Sequence, residues 1–224
     1  MNKKEEITRM VQHTVCGLQI REKKGEEESR TITGYAILFD TPSAQMYSWR
    51  DDEEVYEVIS RDAVTEELLA ASDIKMTMFH DRQLILARSN MGKGTLKYFI
   101  DEKGVGFEFD APHTADGDKA LELVKRGDIC GCSFAFTTHY YDENFVKPEV
   151  HKVDDKTQIT YHVNCITGIY DFTLAADPAY PDTVCEVVRE RTKMLSDRAD
   201  EAVEREREMK AKLQIEEMDA WLEN

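Results

Sequence analysis

Basic residues are in short supply: 29 Lys and Arg stand against 45 Asp and Glu, leaving a formal charge of −16 over 224 residues. Nucleic acid and anionic lipid both require a basic footprint, so neither is expected as a main partner. Cysteine is sparse as well. Five residues make an odd count without the spacing of a disulfide framework, and that points to a reducing cytoplasm. Long apolar runs are missing. The opening Met1-Asn2-Lys3-Lys4-Glu5-Glu6 has no signal-peptide core, and no stretch reaches membrane-spanning length. There is no internal repeat.

What is present reads as one domain with an appended segment. Residues 1–13 are polar and are expected to be a flexible lead-in, with a first strand over 15–20 and an exposed loop over 21–30. Alternating or apolar runs predict strands over 31–39, 55–59, 74–81, 84–88, 95–100 and 106–110. Ser60 is a candidate cap for a short helix carrying Val64, Leu68 and Leu69. Thr114 or Asp116 is positioned to cap a second helix, which Gly127 would end. Residues 140–156, with Pro148 and mixed charge, read as a solvated hairpin excursion. Strands follow over 158–163 and 166–174, and a short edge strand is expected over 183–188. From residue 189 the chain turns rich in Glu, Arg and Lys, without Gly or Pro, as in a long charged helix. The expected fold is therefore α+β: a mostly antiparallel, barrel-like sheet at 14–188, a few flanking helices, and a helical extension over 189–224.

One strand organises the functional reading. In Gly131-Cys132-Ser133-Phe134-Ala135-Phe136-Thr137, alternation sends Cys132, Phe134 and Phe136 to one face. Ser133, Ala135 and Thr137 go to the other. The first face suits a core, and the second is small enough to leave room around a hydroxyl. His80 falls at the end of a strand, on the side of Ile74, Met76 and Met78. Asp171 sits inside a strand, where Asp is disfavoured and a buried carboxylate needs a partner. Together they offer a nucleophile, a general base and an orienting carboxylate in the order His, Ser, Asp. No Gly-x-Ser-x-Gly elbow is present. The competing reading is plain: a satisfied buried serine, a structural histidine, and an Asp in an ordinary ion pair. Backbone amides near Ser133 and Phe134 are candidate oxyanion donors. Cys132 is a second nucleophile on paper, but its apolar face predicts an inert thiol. His162 and Cys165 with His139 or His151 lack four-ligand zinc spacing, so no metal is expected.

Several separated motifs resemble the maturation proteases of tailed-phage proheads, a family related in fold to the herpesvirus assemblins. They are Gly34-Tyr35-Ala36-Ile37-Leu38-Phe39, then Phe79-His80-Asp81 with Leu86-Ala87-Arg88. Next comes the run from Leu121 to Phe136, and last Tyr170-Asp171-Phe172-Thr173-Leu174 through Pro178-Ala179-Tyr180-Pro181. The resemblance implies that Ser133 is the nucleophile and His80 the base. The family usually has Glu where Asp171 stands. Arg88 matches an Arg that follows the His strand in the family and could support an oxyanion. The implied activity is a cofactor-free serine endopeptidase acting in the host cytoplasm, inside the assembling prohead. It would cleave scaffold segments or the N-terminal segment of the major capsid protein, and also itself, and would form a homo-oligomer. Two alternatives stay open: a catalytically silent assembly protein with the same fold, and a general acyl hydrolase.

Overall fold

The computed structural model describes residues 7–11, 18–20, 29–46, 48, 50–176, 198–205, 207 and 209. In chain order the strands are β1 (Ile7–Val11), β2 (Gln19–Ile20), β3 (Thr31–Leu38) and β4 (Glu53–Ile59). A 3-10 turn and helix α1 (Glu66–Ala71) lead to β5 (Asp73–Met78), β6 (Asp81–Asn90), β7 (Lys93–Gly94), β8 (Lys97–Ile100) and β9 (Gly104–Asp110). Helix α2 (Ala115–Arg126) precedes β10 (Gly131–Thr138), β11 (Val146–Val153), β12 (Lys156–Val163) and β13 (Gly168–Ala175).

These strands form three sheets, ordered β1-β10-β13-β5-β6-β7, β2-β3-β9-β8 and β11-β12-β4. Pairing is antiparallel except between β13 and β5 and between β12 and β4. Among the described residues no sheet closes on itself, so the barrel expected from the strand count is corrected there to three open sheets. Phe107 on β9 meets Phe172 on β13 with ring centroids 6.4 Å apart, and Phe109, two residues along β9, stacks on Phe107 at 6.2 Å. That aromatic seam, wholly or almost wholly buried, joins the four-stranded sheet to the inner face of the six-stranded one. Burying each such ring stabilises the fold by roughly 1.5–3 kcal/mol.

Local signals explain the helices. In α2 the Thr114 hydroxyl accepts the Gly117 amide, acidic residues occupy the first turn and basic ones the last. Gly127 then takes the left-handed conformation (φ 78°) that stops the helix at little cost. In α1 the cap is Thr65, which accepts from the Leu68 amide; Ser60 instead donates to Asn164.

β1, within the lead-in expected over 1–13, pairs with β10. Residues 146–153 form the outer strand of a regular hairpin, where Pro148 on the sheet's edge breaks no central ladder. The strand over 15–20 is seen only as Gln19–Ile20, the rest falling outside the described residues. Of the helical extension, residues 198–205 are helical, and most of 189–224 is outside the described residues, as are the Pro178–Pro181 motif and the strand over 183–188. Asp200 in that helix accepts from Lys152 on β11 and from Arg50 just before β4, which ties the extension to both.

Candidate active site

Strand register sets the site. Ser133 on β10 lies opposite Thr173 on β13, and Thr173 lies opposite Thr77 on β5. Residues opposite one another share a face, so Ser133, Thr173 and Thr77 make a row across three central strands. The next row holds Ala135 and Asp171. All of them face away from the Phe134–Phe172–Met76 side, which is completely buried.

His80 arrives by an unusual route. Alternation along β5 would put it with Met76 and Met78, in the core. Instead Phe79 and His80 both adopt left-handed backbone (φ 55° and 56°), and the chain turns between β5 and β6. For residues with a Cβ this costs roughly 1–2 kcal/mol each, so it persists only where the surroundings demand it. The turn swings the imidazole over the Ser133 row. A local register shift of β5 against β6 at Thr77 accompanies it.

The resulting distances are short. His80 Nε2 is 3.1 Å from Ser133 Oγ, and His80 Nδ1 is 2.6 Å from Asp171 Oδ2. An ionised carboxylate can only accept, so the Nδ1 proton belongs to the bond with Asp171. Nε2 is then left as the acceptor facing the serine hydroxyl. Asp171 thus reaches the ring although it is one methylene shorter than Glu. Its other oxygen, Oδ1, accepts from the Thr77 hydroxyl at 2.8 Å. Thr77 and Thr173 hydroxyls are 2.9 Å apart, and the His80 amide donates to Thr173 Oγ1 at 2.9 Å. The site is nearly dry, with the His80 and Asp171 side chains 8% and 14% exposed and Ser133 at 0%. Little water competes with these bonds.

A bulge in β13 changes which of its residues share a face. Ala135 pairs with Asp171 but Phe136 pairs with Ile169, so Tyr170 is the extra residue. Ile169 joins the core, while Tyr170 turns outward, its hydroxyl 3.3 Å from that of Thr137. Without this bulge Tyr170, not Ile169, would share the inner face with Phe172.

The supporting residues expected from sequence are placed elsewhere. Arg88 is on β6, three strands from β10 and hence roughly 14 Å away at strand spacing. Its guanidinium grips Asp73 with two bonds of 2.6 and 2.7 Å, and Lys75 adds a third. Those bonds, Arg88 first, hold the Asp73 carboxyl well below the usual range. Phe134 has strand partners on both sides, Val11 and Phe172. Its amide therefore lies in the plane of the ladder, not toward the serine hydroxyl. The Cys132 thiol points into the core, and burial, with Asp171 nearby, pushes it far up. Among the zinc candidates, His139 packs edge-on against Phe145, while His151 and His162 both pair with Glu149.

Sequence reasoning passed over Thr77 and Thr173. The available signal was their spacing: Thr173 is two residues from Asp171, on its face, and Thr77 interrupts a run of buried Met residues.

A family model described as caudovirus prohead serine protease matches residues 17–198. No curated protein and no solved structure matches the chain.

Proposed function

Since that match covers most of its length, the chain belongs to the caudovirus prohead serine protease family, and we propose that Ser133, His80 and Asp171 are its nucleophile, base and orienting carboxylate. The observation that carries this reading is the imidazole held between hydroxyl and carboxylate at 3.1 and 2.6 Å. Ser133 Oγ attacks a peptide carbonyl while its proton moves to His80 Nε2. Asp171 stabilises the imidazolium and keeps the ring in register. The same proton then passes to the leaving amine, freeing one product and leaving an acyl-serine. Water, deprotonated by Nε2, hydrolyses that ester and restores the hydroxyl.

The substrates we infer are scaffold segments and the N-terminal segment of the major capsid protein, cut inside the assembling prohead. Self-cleavage is part of the proposal. β1 already lies as an extended strand along β10 and ends opposite Phe134, one residue from the nucleophile. Coexpression with capsid and scaffold proteins tests the assignment on a gel. Wild type should shorten one or both, and Ser133→Ala should shorten neither; equal processing by the two would refute it.

The complete burial of Ser133 favours a second reading, a catalytically silent assembly protein of the same fold. Under the protease reading, that burial fits a zymogen-like closed state that opens during assembly. Unprocessed capsid protein with wild-type enzyme, together with normal shells that need the chain, would support the silent role.

A further inference from the structure

We propose that Thr77 and Thr173 are positioning residues that tie the turn bearing His80 to the carboxylate that orients it. The inference rests on the triad reading given above.

The argument is one of proton counting. The His80 amide has left the strand ladder and donates to Thr173 Oγ1 at 2.9 Å. Each threonine hydroxyl has a single proton. Thr77 Oγ1 is the donor toward both Asp171 Oδ1 and Thr173 Oγ1, so its one proton is shared between two acceptors. Thr173 Oγ1 accepts from the His80 amide as well as from Thr77. The links run in one series: His80 N–H to Thr173, and Thr77 O–H to Thr173 and to Asp171. Asp171 Oδ2 closes it into a ring by accepting from the His80 imidazole. Backbone and side chain of His80 are therefore held from two sides by groups that hold one another.

This ring accounts for the left-handed pair Phe79–His80. A turn so strained needs bonds that no other conformation satisfies, and the one from the His80 amide to Thr173 exists only there. Phe79 adds a backbone bond to Leu174 at 3.1 Å. Both threonines are 0% exposed, so no solvent replaces a lost hydroxyl. Valine has the shape of threonine and suits a strand, which makes it the informative replacement.

The full-length chain is labelled with a fluorophosphonate at rising concentration, and the far-downfield His80 Nδ1 proton is followed by NMR. Thr77→Val should lower the saturating labelling rate about tenfold, as expected for a lost bond to a charged group, and leave the half-saturating concentration unchanged. The Nδ1 resonance should move or vanish, and Thr77→Ser should restore both readouts. Thr173→Val should act likewise through the other link, and the double variant should be no slower than the slower single, because one broken chain is already broken. Wild-type labelling by Thr77→Val with an unmoved resonance would overturn the proposal, as would losses that multiply in the double variant. Wild-type chain that is never labelled at Ser133 would count against the protease reading instead. The NMR comparison, which needs no reaction, would still decide the role of the threonines.

Discussion

On one side of β10, Cys132, Phe134 and Phe136 are sealed in a core of aromatic and aliphatic side chains; on the other, Ser133 and Thr137 are just as inaccessible. The two faces differ in what holds them. Phe134 stacks on Phe136 at 5.2 Å, and non-directional contacts fix it. Ser133 is fixed by a hydrogen bond to a ring that is bonded in turn to Asp171. Two nucleophile-bearing residues one position apart are therefore chemically opposite: the thiol is pushed toward its neutral form by burial, while the hydroxyl faces a proton acceptor. Burial alone does not make a side chain inert: the Cys132 thiol meets a backbone carbonyl, which leaves it protonated, whereas the Ser133 hydroxyl meets a ring nitrogen that can take its proton.

Substitutions can break this contrast. The largest effect is expected on the polar face. Asp171→Asn should cut turnover by roughly four orders of magnitude while the thermal midpoint stays near wild type, because the wrong imidazole tautomer is then favoured. Peptide or fluorophosphonate kinetics beside a melting curve read both quantities. An undiminished rate would remove Asp171 from the site. Next comes the apolar face. Phe134→Ala should destabilise the domain by about 3–5 kcal/mol through the cavity it leaves, measured by urea unfolding. A smaller change is expected for Cys132→Ala, which should retain activity and cost about 1–2 kcal/mol. Loss of activity with a stable fold would mean that the thiol contributes to the chemistry.

The smallest effect lies at the rim of the polar face, where Arg88 and Lys75 meet Asp73. A folded-state carboxyl pKa below its unfolded value adds stability that is present above the ordinary carboxylate range. That stability is lost as pH falls through this range toward the lower folded value. Asp73→Asn should therefore be slightly less stable than wild type at neutral pH, and the gap should narrow as pH falls through the carboxylate range, closing only toward the lower folded value. The side chain is about a third exposed, so solvent screens most of the gain. A gap that persists at low pH would show that packing, not charge, is responsible.

Much of the fold is legible locally. The stop at Gly127, the cap at Thr114 and the alternation of β10 follow from residue chemistry, and each is seen in the structure. Legibility fails where an extra residue or a turn reverses the alternation. Tyr170 looks like a core residue until the β13 bulge turns it outward, and His80 looks like one until two left-handed residues do the same. Arg88 fails for another reason: its position after the His strand says nothing of Asp73, which claims it from across the β5–β6 pair.

By itself, then, the sequence determined most of the strands, which side of β10 is apolar, and which residue types could share a proton. Those properties follow from periodicity and composition, which act within a few residues. Only the tertiary structure decided that three strands distant along the chain lie side by side and open, not rolled into a barrel. It also decided that His80 leaves its own strand's inner face to meet Ser133 and Asp171. A pair of left-handed residues is unfavourable to the local chain, and it is stable here because bonds to β13 and β10, available only after the sheet has formed, outweigh that cost.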